Sequence, residues 1–256
     1  SNTDMRMEMF LLLCIVAFIN KVTSQLMTED PVCSELCFCE GVFNTVCVCN
    51  SKYESYPHIN ISTILICVPS SVVSLDIHKY NFGTVSNGSF EHLMKLEHLN
   101  MTDCNVTFIE PNAFLGINNL SELFLIDLAK DNPGLSCLSY HILQHCPLIS
   151  TLAIGKITNI ENNAFEAIPQ LETLEVKQKR LAEFYEAFRP LRSLDTLYLQ
   201  NINLEKIPDF ILSYLPKLRL LYLSNNQISN MTFAGNIPKL EYLTVRREGN
   251  NITAIT

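Results

Sequence analysis

Cysteine and histidine are the residues best equipped for chemistry in this chain, and their spacing narrows what that chemistry is. Cys33, Cys37, Cys39, Cys47 and Cys49 follow the pattern C-x3-C-x-C-x7-C-x-C, with Cys67 further on. Thiols at this density either hold a metal or oxidise to disulfides. Structural zinc sites are usually built from paired C-x2-C knuckles, and this cluster has none. The crowding therefore reads as a disulfide-bonded cap from an oxidising compartment. Cys137 and Cys146 flank Leu138 to His145, and a bridge between them is predicted to clamp that stretch.

The histidines do not extend the chemistry. His141 and His145 lie four apart, but no H-E-x-x-H surrounds them, so no metal site is expected. There is no G-x-S-x-G elbow and no phosphate-cradling glycine loop, and the whole chain holds only 8 glycines. No catalytic residue, metal or cofactor is expected, and the chain reads as a non-enzyme. Its net charge of −8 argues against nucleic acid, whose phosphates call for clustered Lys and Arg.

The N-terminus points to the secretory route. Arg6 precedes an apolar run from Phe10 to Ile19, and Val22 and Ser24 suit the −3 and −1 positions of a signal-peptidase site. The run is well short of the roughly 20 residues that span a bilayer. Residues 1–24 are thus predicted to be a cleaved signal peptide. N-x-S/T sequons follow at Asn60, Asn87, Asn100, Asn105, Asn119, Asn230 and Asn251. Behind a signal peptide they predict an extracellular glycoprotein, secreted or at the cell surface.

The elements that carry these residues repeat. The motif L-x-x-L-x-L starts at Val72, Leu96, Leu120, Ile149, Leu171, Leu194, Leu218 and Leu240. Within it apolar residues alternate, as in Leu96, Leu99 and Met101, which predicts a short strand with every second side chain in the core. The ninth position, often a buried asparagine, is Cys104 in the second repeat and Asn226 in the seventh. An apolar pattern ending in Ala-Phe follows, as in Val106, Ile109, Ala113 and Phe114. Its phenylalanines are expected to stack along the convex side.

On these residues the chain resembles extracellular leucine-rich-repeat proteins with a cysteine-rich N-terminal cap, a class that includes Toll-like ectodomains and small leucine-rich proteoglycans. The resemblance implies an α/β fold: a right-handed horseshoe solenoid with a parallel concave sheet. Its cap would cover residues 25–71 and its repeats residues 72–256. The class pattern pairs the first cap cysteine with the third and the second with the fourth. That implies Cys33–Cys39 and Cys37–Cys47, with Cys49 and Cys67 left to bridge each other. Cys104 remains as a buried free thiol.

The chain also departs from the pattern. Tyr80, Leu128, Ile157, Lys179, Ile202 and Glu248 occupy the ninth position elsewhere, so an irregular solenoid is expected. The third repeat is long and holds the turn signal Asp131-Asn132-Pro133-Gly134. A C-terminal cysteine cap is missing before Thr256, which suggests a fragment; membrane association would need an anchor beyond that point.

With no catalytic constellation, function is expected on the concave face. One outward column runs Asp76, Asn100, Phe124, Ala153, Glu175, Tyr198, Tyr222, Thr244, beside another that includes Leu220 and Tyr242. Tyr198, Tyr222, Leu220 and Tyr242, with Arg246 and Arg247 at their edge, form the candidate ligand-binding patch, since Tyr and Arg dominate interface hot spots. A glycan on Asn100 would obstruct the first coils. The expected activity is recognition of a protein or glycan ligand. The alternatives are a non-catalytic subunit of a secreted enzyme complex and a structural component of the extracellular matrix.

Overall fold

The computed structural model describes residues 31–51, 58–126, 134–177, 185–206, 213–231, 239–245 and 254–255. The predicted signal peptide, Asp131 to Pro133, Arg246, Arg247 and Asn251 lie outside these residues.

All eight repeat motifs form strands of one sheet. They are Ser74–His78, His98–Thr102, Glu122–Ile126, Thr151–Ile154, Thr173–Val176, Thr196–Tyr198, Leu220–Tyr222 and Tyr242–Thr244. Each pairs in parallel with the next. The register is constant: Leu75, Leu99, Leu123, Leu152, Leu174, Leu197, Leu221 and Leu243 lie side by side. This is period-two alternation at work, with one set of side chains in the core and the other on the concave face.

The chain leaves several strands through a left-handed residue, seven positions after the motif begins. Lys79, Asp103, Asn201 and Asn225 all have positive φ there, a conformation that Asn and Asp tolerate best. Beyond this turn, Asn226 is buried and fully employed. Its Oδ1 accepts from the backbone N–H of Ile202 and Leu204, both at 3.1 Å. Its Nδ2 donates to the carbonyls of Leu199 and Leu223 at 2.7 and 2.9 Å. In the second repeat Cys104 takes this place as a buried free thiol, 3.2 Å from the Ile77 carbonyl.

The convex side carries the phenylalanines. Phe90 packs on Phe114 with ring centroids 5.7 Å apart, and Phe165 on Phe188 at 5.6 Å. The third repeat has no phenylalanine here. A one-turn helix, Tyr140–Leu143, buries Ile142 and Leu143 instead. Gly134 enters this longer coil with φ of +78°, so close to the Lys156 backbone that a side chain would collide with it.

At the N-terminal end a hairpin continues the sheet. β1 (Cys37–Glu40) and β2 (Val46–Asn50) are antiparallel, and β2 pairs in parallel with the Ser74–His78 strand. The hairpin overturns the expected cap pairing. The disulfides are Cys33–Cys67, Cys37–Cys49 and Cys39–Cys47, not Cys33–Cys39, Cys37–Cys47 and Cys49–Cys67. The cause is register. Cys37 lies opposite Cys49 and Cys39 opposite Cys47, and residues two apart share one face, so both pairs meet beneath the hairpin.

The predicted Cys137–Cys146 clamp is also absent, since both thiols are free. Cys146 is buried in the core, while Cys137 is half-buried and lies 3.3 Å from Asn159 Nδ2 of the next coil. The helix between them sends the two side chains in different directions.

Candidate binding face

The sheet register converts sequence spacing into rows of neighbours on the concave face. Asp76, Asn100, Phe124, Ala153, Glu175, Tyr198, Tyr222 and Thr244 form one continuous row. Ser74, His98, Glu122, Thr151, Thr173, Thr196, Leu220 and Tyr242 form the next. Because the register never slips, residues one repeat apart stand one strand apart.

Tyr198 and Tyr222 are brought together. Their ring centroids are 4.3 Å apart with planes 9° from parallel, and Tyr242 leans on Tyr222 at 5.7 Å and 55°. Tyr242 is half exposed, and Leu220 sits between it and Thr196 in the neighbouring row. Burial pushes the Tyr198 phenol above its ordinary pKa, and Tyr222 and Glu175 push it the same way. The Thr244 hydroxyl, at the end of the row, is buried without a hydrogen-bond partner.

A charged lip borders the tyrosines. Arg219 Nε lies 3.1 Å from Asp195 and 3.6 Å from Glu241, which precede the strands on either side. Within its own strand's end, Lys177 pairs with Glu175 at 3.1 Å. These pairs are partly exposed, so each contributes at most about 1 kcal/mol. Their role is to hold side chains in place along the sheet. Arg219 escaped the sequence reading, although the spacing of Asp195, Arg219 and Glu241 at one repeat position was a usable signal.

The N-terminal coils differ in character. Asn100 is half-buried on the concave face, where its Oδ1 accepts from the Thr102 hydroxyl of its own sequon at 2.7 Å. His98 and Glu122 approach to 3.1 Å across adjacent strands. Phe38 and Val48, opposed on the cap hairpin, expose apolar surface in the same row as Asp76.

The other sequons fall elsewhere. Asn60 caps a short helix, Ile61–Leu65, through Oδ1, and Asn87 Oδ1 accepts from the Asn112 backbone. Asn119 is exposed and donates to the Met94 carbonyl. Asn105 instead is wedged between coils, its Nδ2 2.7 Å from Asn81 Oδ1 and its own Oδ1 enclosed. Asn230 begins a two-residue strand, Asn230–Met231, paired in parallel with Ala254–Ile255.

His145 is a bridging residue on the convex side, its Nε2 3.0 Å from Asn112 Oδ1. Among the described residues no group of three or more His, Cys, Asp and Glu is placed to hold a metal ion.

A leucine rich repeat family model matches residues 70–127 and 192–252 of the chain. Human Toll-like receptor 3 is 28% identical over 171 residues, which cover 65% of this chain and 19% of that protein. The chain thus spans about a fifth of that receptor. Pig (Sus scrofa) fibromodulin is 34% identical over 99 residues, covering 39% of this chain and 65% of the relative. Among solved structures, human trophoblast glycoprotein superposes with a TM-score of 0.51 at 21% identity, over 87% of this chain and 73% of that one. At that identity the likeness speaks for the fold alone.

Proposed function

Since the chain is a leucine-rich-repeat protein of the extracellular type with a disulfide-bonded N-terminal cap, we propose that it is a non-catalytic recognition protein, secreted or at the cell surface. Its concave coils five to eight hold the ligand, a protein or a glycan. The observation that carries this reading is the tyrosine tier: Tyr198 stacked on Tyr222, Tyr242 leaning against them, and Arg219 fixed at the lip. Such residues combine large apolar area with polar tips and have little freedom left to lose on binding. A glycan on Asn100 would cover the opposite end of the face, which confines ligands to the tyrosine end.

A glycan wedge tests the proposal. Thr173→Asn with Glu175→Thr creates a sequon in the fifth coil, beside the tier. The wild type and the wedge variant, both secreted from cultured eukaryotic cells, are compared on an array of extracellular proteins and oligosaccharides. The wedge variant, once its added mass confirms occupancy, is expected to lose the binders that the wild type retains. An unchanged binding profile on an occupied wedge would overturn it.

A further inference from the structure

The geometry of the tyrosine tier narrows the ligand class, an inference that rests on the concave reading above. Neighbouring parallel strands lie about 4.8 Å apart. Tyr198 and Tyr222 sit on neighbouring strands in direct register, with centroids 4.3 Å apart and planes 9° from parallel. Rings so placed must stand upright off the sheet, plane against plane, like adjacent pages. Their inner faces cover each other, and their outer faces look along the sheet toward the neighbouring Glu175 and Thr244. What they offer a ligand above the sheet is ring edges and two adjacent phenol hydroxyls.

That presentation suits some ligands and not others. A sugar packs its C–H face flat on the negative face of an aromatic ring, and this pair withholds its inner faces. A ring edge carries the positive end of the quadrupole, so edges and hydroxyls suit the carbonyls and carboxylates of a polypeptide. Tyr242, tilted by 55° and half exposed, is the ring turned differently, and a cation over its face gains cation–π attraction.

Charge points the same way. Asp76, Glu122 and Glu175 lie on the concave strands, and Glu97, Glu172, Asp195 and Glu241 on the lip that precedes them. The cations described along these strands and their lips are Lys79, Lys156, Lys177 and Arg219, and Lys177 and Arg219 are already held by carboxylates. Among the described residues the acidic groups still outnumber them, in a chain of net charge −8. A sulfated or carboxylated glycan meets repulsion along this face, while guanidinium groups match both carboxylates and aromatic rings.

We infer that the concave face takes a protein ligand with a basic rim, arginine in preference to lysine, rather than a glycan. Ring edges and hydroxyls meet the partner's backbone at the centre, and its arginines reach the carboxylates around the tier.

The test uses the full chain and four probes: a nonaarginine peptide, a nonalysine peptide, a heparin dodecasaccharide and cellohexaose. Nonaarginine is expected to bind, and more tightly than nonalysine. Replacing Tyr198 and Tyr222 together by alanine should weaken it about tenfold, the scale of a hot-spot truncation. Tyr198→Phe with Tyr222→Phe keeps the stack and should lose a smaller part, which separates loss of contacts from loss of fold. Glu172→Gln with Asp195→Asn should weaken binding several-fold, whereas Glu35→Gln with Glu166→Gln, the same charge change on exposed residues away from the face, should leave it within about twofold.

The inference is overturned if nonaarginine is indifferent to the tyrosines, or if the remote carboxylates matter as much as the lip. Cellohexaose or heparin binding that disappears with the tyrosines would also overturn it while leaving the concave reading standing. If the tyrosines affect no probe and the glycan wedge affects no binder, both readings fall together.

Discussion

Tyr198 and Tyr222 occupy the same repeat position on adjacent strands, and their rings stack at 4.3 Å within 9° of parallel. The stack depends on the constancy of the register: a slip of one residue would turn one ring into the core and the other to solvent.

The stack has a pH signature. The Tyr198 phenol is raised from its ordinary value of 10.0, first by burial and then by Tyr222 and Glu175. A folded-state pKa above the unfolded one means that ionisation favours unfolding. Its contribution is therefore intact below pH 10 and is lost as pH rises through the folded pKa. Urea titrations above pH 10 should show the wild type losing more stability with pH than Tyr198→Phe. Equal slopes would show that the phenol is not perturbed.

Asn226 should be among the most costly polar residues to remove. Alanine there strands two backbone N–H groups and two carbonyls that the amide satisfies. With each buried unsatisfied group costing about 1–3 kcal/mol and some relaxation of the coil, a net loss of about 3–5 kcal/mol is expected. Denaturant unfolding of Asn226→Ala measures it. A loss below about 1 kcal/mol would mean that water or backbone shifts replace the amide.

The cap pairing and the free thiols can be read chemically. Cys39→Ser with Cys47→Ser removes one whole bridge and should release no new thiol. Cys37→Ser with Cys47→Ser breaks two bridges and should release two, from Cys49 and Cys39. In the wild type, Cys137 should react with a maleimide in the native state. Cys146, whose thiol burial pushes to about 12, should react only after unfolding. Native labelling of Cys146 would contradict its place in the core.

The sequons should not be used equally. A glycan is carried on Nδ2, and Asn60 and Asn87 make their contacts through Oδ1. Asn119 is exposed and keeps one N–H for the Met94 carbonyl when glycosylated. Asn105 holds Nδ2 against Asn81 between two coils, with Oδ1 enclosed. Glycopeptide mapping of protein secreted from eukaryotic cells should find Asn60, Asn87 and Asn119 occupied and Asn105 bare. A glycan on Asn105 in folded protein would refute this division.

Much of the fold was legible because two periods coincide. Alternation within L-x-x-L-x-L marks each strand, and its recurrence aligns them, so the neighbours Tyr198 and Tyr222 could be named from spacing alone. The cap was misread because a class pattern displaced a local signal. C-x-C on either side of the turn at Gly41 places Cys37 and Cys39 on one face, opposite Cys49 and Cys47. Cys137 and Cys146 misled through closeness in sequence, which says nothing about direction across the Tyr140–Leu143 helix. Arg219 went unnoticed because its partners, Asp195 and Glu241, become neighbours only once the repeats are laid side by side.

If this face is where the protein binds, the dissociation constant of the tightest binder found on the extracellular array should separate three forms: wild type, Tyr198→Ala with Tyr222→Ala, and Ser74→Ala in the first coil. Affinity is expected to be about tenfold or more weaker for the tyrosine variant and within about twofold of wild type for Ser74→Ala. A well-folded tyrosine variant that binds within about twofold of wild type would contradict binding at this face.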